Sequence, residues 1–165
     1  MKITPMFDLN RPRKLLTICI VREPGRVLLG MKKRGFGVGR FNGFGGKLNP
    51  GETVEEAAIR ELEEEANIKA LDLERMGVIY FEFKDQAEIL ETHIFKVEKF
   101  SGEIVESEEM RPQWFSLDEI PYQEMWPDDI YWLPLFLENK HFKGRVSFDE
   151  NNQIVDRLIE EHSNL

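Results

Sequence analysis

Gly46-Lys47-Leu48-Asn49-Pro50-Gly51-Glu52, then Thr53 to Ile59, then Arg60-Glu61-Leu62-Glu63-Glu64-Glu65-Ala66-Asn67-Ile68 is the stretch on which the fold turns. Its second half predicts a helix over 53–66. Thr53 stands where an N-cap is wanted, and Glu56 three residues on completes a capping box. At about 100° per residue, with Val54 at zero, Ala57, Ala58 and Leu62 fall within roughly 80° of zero and mark the inward face. Glu61 and Glu65 fall inside that stripe, Glu64 at its edge, and Glu56 and Glu63 on the far side. Carboxylates turned inward lose solvation and repel one another. Hard divalent cations such as Mg²⁺ remove that penalty because they take oxygen ligands of this kind. The competing reading is a solvated glutamate run on a surface helix. It suits Glu56 and Glu63, but not acids that share a stripe with small apolar residues.

Working outward, Leu15–Arg22 and Arg26–Met31 flank Pro24-Gly25 and predict a hairpin. Residues 32–51 hold seven of the twelve glycines. Strands are predicted over 76–83 and 88–97, with a shorter one at 113–115. Trp126-Pro127-Asp128-Asp129 opens a second helix running to about residue 139, with Pro127 in its first turn and two acids favourable to the helix dipole. Val146–Phe148 and Ile154–Ile159 predict a last hairpin around Asn151-Asn152. The pattern is α/β (α+β): a sandwich with a mixed sheet and two principal helices. Residues 1–165 are expected to form a single domain.

The bulk composition narrows the function. Hydrophobic residues are 41% and charged residues 32%, with a net charge of -9. Such a chain does not attract a nucleic acid polymer or a bare polyphosphate by its overall field. A phosphate ligand therefore requires bridging cations. No apolar run reaches the ~20 residues a membrane span needs, and the polar start lacks a signal-peptide core. Cys19 is the only cysteine, so no internal disulfide forms and a cytoplasmic setting is expected. Cys19 itself reads as core. His93, His141 and His162 are scattered and suggest neither a metal cluster nor a triad.

Gly46, five residues, Glu52, seven residues and Arg60-Glu61-Leu62-Glu63-Glu64-Glu65 together resemble the Nudix box. One departure is Asn67, where the family usually has Gly. It ends the helix, a left-handed position that Asn tolerates. The resemblance implies a Nudix-type α/β/α sandwich and a divalent cofactor, Mg²⁺ or in its place Mn²⁺. It implies metal ligation by Glu61, Glu64, Glu65 and a carbonyl at Gly45, with Glu109 a further ligand or a base acting through water. Arg60 would orient the glutamates. Glu52 would pair with Arg60 or support the metal shell.

The likeness extends to Met31–Lys47, Phe81–Phe83, Val105–Pro112 and Met125–Asp129. Within the family these look like the branch that hydrolyses oxidised purine nucleoside triphosphates. That branch implies substrate contacts at Thr17, Lys32, Phe36, Asn42, Phe44, Gly45, Gly46, Lys47, Phe81, Trp126, Asp128 and Asp129. The residue chemistry agrees: Trp126, Phe36, Phe81 and Phe83 can form an aromatic slot and Asn42 can donate and accept. Two adjacent carboxyls in a low-dielectric site split their titration, so one donates and the other accepts. The bland alternative makes Asp128-Asp129 a helix start and the aromatics core. Phe41 departs from that branch, which has Trp there. The expected partner is a small-molecule nucleoside triphosphate, with no nucleic acid polymer, no membrane and a monomeric chain. Two other functions fit the same residues: a Nudix pyrophosphatase for a methylated purine nucleotide or a nucleoside diphosphate sugar, and a non-catalytic nucleotide-sensing module.

Overall fold

The computed structural model describes residues 10–163. The first nine residues of the polar start therefore lie outside it. The elements in chain order are β1 (Arg13–Glu23), β2 (Arg26–Lys32), β3 (Phe41–Asn42), α1 (Val54–Ala66), β4 (Lys69–Ala70), β5 (Glu74–Phe83), β6 (Ile89–Val97), β7 (Phe100–Ser101), β8 (Met110–Ser116), α2 (Asp129–Leu137), β9 (Phe142–Phe148) and β10 (Ile154–Glu161). The main sheet runs β10-β9-β5-β6-β1-β2-β3, with β8 also paired to β2. The pairs β1/β6 and β5/β9 are parallel and the rest antiparallel, so the sheet is mixed.

Alternation along the strands sends successive side chains to opposite faces. Ile20, Val27 and Leu29 join Trp132, Leu133 and Phe136 of α2 in one core. Cys19, Val21 and Leu28 join Leu62 and Ala66 of α1 in the other. The two helices thus cover opposite faces, giving the α/β/α layering. Among the described residues no helix is long and apolar enough to cross a membrane.

The segment that positions the site is a wedge. β1 and β2 pair only from Val21 to Glu23 on the β1 side, then diverge. Phe41–Lys47 fills the gap. Phe44 exchanges both backbone hydrogen bonds with Cys19, at 2.6 and 2.9 Å, and Thr17 N donates to Gly46 O at 3.0 Å. Phe41 and Asn42 pair with β2 on the other side. The approach is too close for side chains. A Cβ on Gly45 would lie 1.8 Å from the Thr17 carbonyl oxygen, and one on Gly43 2.5 Å from the Ile18 Cγ2.

α1 begins as its sequence predicts. Thr53 Oγ1 accepts from Glu56 N, and Glu56 returns a bond to the Thr53 N–H. It ends at Asn67, left-handed at φ 64°, whose N–H bonds the Glu63 carbonyl. Several expected bounds shift. β8 runs from Met110 rather than 113, and β9 starts at Phe142. α2 begins at Asp129, so Pro127 precedes the helix instead of sitting in its first turn. β3, β4 and β7 are two residues each, too short to show alternation.

Candidate active site

α1 presents an acidic edge to the wedge. Glu65 is 4% exposed. Its Oε1 accepts the Gly45 N–H at 2.8 Å. Burial pushes its carboxyl up to about 8, against that hydrogen bond and with help from the Glu61 charge. Burial also raises Glu61, and Arg60 opposes it. Arg60 is the hub of the edge. Its guanidinium grips both oxygens of Glu52 at 2.7 and 2.9 Å, and reaches Glu61 at 2.9 Å and Glu64 at 3.2 Å. This fork holds the Glu52 carboxyl below its usual range. Of the two roles expected for Glu52, the structure shows the Arg60 pair. Glu109 arrives from the loop before β8. It accepts from Lys32 at 2.8 Å and Arg34 at 2.9 Å, and both lower its pKa.

Glu61, Glu64, Glu65 and Glu109 share one recess of about 420 Å³ with Gly45 and Gly46. Among the described residues no three His, Cys, Asp or Glu side chains form a finished metal cage. Arg60, Lys32 and Arg34 engage Glu61, Glu64 and Glu109 instead. The donor set is nonetheless all oxygen, and four carboxylates around one recess suit a hard divalent cation.

A second cavity of about 470 Å³ opens from the same two glycines and reaches Asp128 and Asp129. Its aromatic wall is continuous. Phe83 stacks on Phe148 at 4.9 Å, Trp126 meets Phe148 at 5.6 Å, and Phe36 lies 5.1 Å from Trp126. Arg40 stacks its guanidinium over Trp126 at 4.2 Å. Asn42 Oδ1 accepts the Gly43 N–H at 2.8 Å. Asp128 and Asp129 are each 3% exposed. Asp128 Oδ2 accepts the Trp132 indole N–H at 2.7 Å, whereas Asp129 Oδ2 has no hydrogen-bond partner among the described residues. Burial raises both, and the Asp128 charge drives Asp129 the further. Asp129 is therefore pushed the further toward its neutral, donating form, while Asp128, held by the Trp132 indole N–H, is the stronger acceptor of the two.

Thr17, Lys32, Phe36, Asn42, Gly45, Gly46, Lys47, Phe81, Trp126, Asp128 and Asp129 all border the larger cavity, together with Glu65. Phe44 does not. Its ring is fully buried beside Leu62 and Cys19 on the α1 face, because alternation within the wedge sends it opposite to Gly43 and Gly45. Only its backbone serves the site. Sequence reasoning missed Lys14, Leu16, Leu90, Thr92 and Phe148, which also line the cavity. Alternation over 88–97 puts Leu90 and Thr92 on one face, but only the pairing of β6 with β1 and β5 tells which face that is. Lys14 stands beside Lys47, whose ammonium holds it below the usual lysine range. Cys19 is inert core, its thiol pushed up to about 12 by burial. His93 and His141 bond to Glu91 and Glu74, away from both cavities.

Residues 11–136 match the family described as NUDIX domain. The oxidized purine nucleoside triphosphate hydrolase of Danio rerio is 51% identical over 152 residues, 92% of this chain and 97% of the relative. The protein of the same name from Mus musculus is 50% identical over 148 residues, 90% and 95% of the two chains. Among solved structures, the mutator MutT protein of Bacillus halodurans superposes with a TM-score of 0.80 at 24% identity, over 89% of this chain and 97% of that one. That likeness carries the fold.

Proposed function

The chain belongs to the Nudix family, and on that footing we propose that it hydrolyses oxidised purine nucleoside triphosphates to the monophosphate and pyrophosphate. One observation carries the reading: the acidic recess and the aromatic cavity meet at Gly45-Gly46. A nucleotide spanning that junction puts its phosphates against the recess and its purine among Phe81, Phe83 and Trp126. Asp129 offers a proton and Asp128 an acceptor to the base edge. A donor–acceptor pair of this kind suits both 8-oxo-guanine and 2-oxo-adenine.

Nudix proteins generally use divalent metal ions, and Mg²⁺, with Mn²⁺ in its place, is the proposed cofactor. Glu61, Glu64, Glu65 and the Gly45 backbone would hold it, with Glu109 completing the set. The bound ion supplies charge neutralisation at the phosphates and a more acidic water. Arg60, braced by Glu52, keeps the glutamates aimed at the recess. Lys32 offsets phosphate charge once it leaves Glu109. A carboxylate of the recess accepts the proton of the attacking water. The proposal extends to a cytoplasmic monomer acting on free nucleotides, a partner that a net charge of -9 favours over nucleic acid.

The test is a turnover panel with Mg²⁺ over 8-oxo-dGTP, 2-oxo-dATP, O6-methyl-dGTP, dGTP and ADP-ribose, scoring monophosphate and pyrophosphate. The oxidised purines should lead. Preference for ADP-ribose or the methylated purine would reassign the substrate, and binding without turnover would make the chain a sensing module.

A further inference from the structure

Thr92 has no place in the reading so far, and its surroundings are unusual. It is 2% exposed, lies on β6, and borders the larger cavity. Its neighbours in register are Leu16 of β1 and Ile79 of β5. Leu90, two residues away, pairs with Phe81. The floor here is otherwise apolar: Leu16, Ile18, Leu90 and Phe81. The Thr92 hydroxyl has no hydrogen-bond partner among the described residues.

A buried hydroxyl with no partner is costly, and Val would fill the same volume without that cost. A polar atom held in this state inside a binding cavity is what a ligand satisfies on entry. Thr17 Oγ1 and Asp129 Oδ2, of two other residues lining the same cavity, likewise have no hydrogen-bond partner among the described residues. Ile79, level with Thr92, is fully buried. Thr92 thus lies on the buried sheet floor of the cavity, in register with Leu16 and Ile79, over which the purine reading places the base.

We propose that the Thr92 hydroxyl is a specificity-determining contact to the purine edge, bonding a ring nitrogen or exocyclic oxygen from the sheet side while Asp128 and Asp129 read the base from α2. This rests on the purine reading above. A hydroxyl both donates and accepts, so it serves either edge group. It favours bases that carry a polar atom facing β6 and penalises those that present only carbon there.

The test uses Thr92→Val and Thr92→Ser with 8-oxo-dGMP, 2-oxo-dAMP and dGMP, titrated calorimetrically in EDTA so that metal and turnover play no part. Thr92→Val should melt no lower than the parent protein. It should bind at least one oxidised monophosphate about 3- to 10-fold more weakly, the worth of one neutral hydrogen bond, with unequal losses across the three bases. Thr92→Ser should retain the affinity. Unchanged affinities in Thr92→Val would overturn the proposal. So would an equal loss for all three bases, which points to the sugar, or a marked drop in melting temperature, which points to a partner inside the protein. If the parent protein binds none of the three, it is the purine reading that fails.

Discussion

Glu65→Gln should make the metal-free protein more stable while crippling it as a catalyst. The Glu65 carboxyl is 4% exposed, and burial lifts it from 4.5 to about 8. Between those values the folded protein holds a proton that the unfolded chain has released. Metal-free stability therefore falls as pH rises through that window and levels off above it. At pH 7 about 2.5 pKa units of the shift have been expressed, or about 3 kcal/mol at ~1.4 kcal/mol each. Glutamine titrates nowhere in the range, and its amide oxygen can still accept the Gly45 N–H that Oε1 accepts now. The assay is urea unfolding of both proteins in EDTA at about pH 5, 7 and 8, followed by tryptophan fluorescence. The gap between variant and parent should be small at the lowest pH and reach about 3 kcal/mol at neutrality. Saturating Mg²⁺ should narrow or reverse it, because the ion binds the parent's carboxylate better. Turnover should fall ~100-fold or more, since a proposed metal ligand or base is gone. A gap that stays flat with pH, or a variant less stable than the parent at neutral pH, would falsify the account of Glu65 as a buried charge held for catalysis.

Three further outcomes are expected. Gly45→Ala puts a methyl 1.8 Å from the Thr17 carbonyl oxygen, backbone that cannot yield, and should cost ~3 kcal/mol or more in thermal unfolding; a normal melt would mean that the wedge is loose. Arg60→Ala removes the fork on Glu52, Glu61 and Glu64 and should raise the Mg²⁺ concentration for half-maximal rate ~10- to 100-fold, the usual worth of a group that orients metal ligands; an unchanged Mg²⁺ titration would make the hub purely structural. Asp129→Asn should be mild, because an amide donates and accepts as a neutral acid does, whereas Asp128→Asn should lower kcat/KM for oxidised substrates ~10- to 200-fold, because an amide cannot accept at both positions as the better acceptor of the pair can; equal effects would show that the pair does not divide the labour of donor and acceptor.

Much of this was readable from the chain. Local chemistry predicted α1 and its acidic edge, since capping and a 3.6-residue period act within a few residues. The left-handed Asn67 followed from its place after the last helical residue. The hairpin at Gly25 followed from turn chemistry. What stayed hidden depends on non-local pairing. In the sequence residues 32–51 show only their glycines, and it is the divergence of β1 from β2 that lets Phe41–Lys47 pair with both strands and fill the gap. The family resemblance implies Phe44 as a substrate contact, but alternation turns its ring to the opposite core. Thr92, Leu90 and Phe148 sit on strands whose period was legible, while the face that became the cavity was set by β1, β5 and α2. The division between Asp128 and Asp129 required the Trp132 hydrogen bond, one helical turn away.

The wedge has a consequence for motion. Most binding loops can fray on their own, because few ladder hydrogen bonds are lost when they open. Here the segment that carries Gly45 is bonded on one side to β1 and on the other to β2. The amides of Thr17, Cys19 and Phe44 are therefore both the seams of the sheet and the floor of the catalytic junction. They should exchange their hydrogens with deuterium only when the whole sheet opens, at the slowest rates in the molecule, and the floor between the recess and the cavity keeps its shape for as long as the protein stays folded.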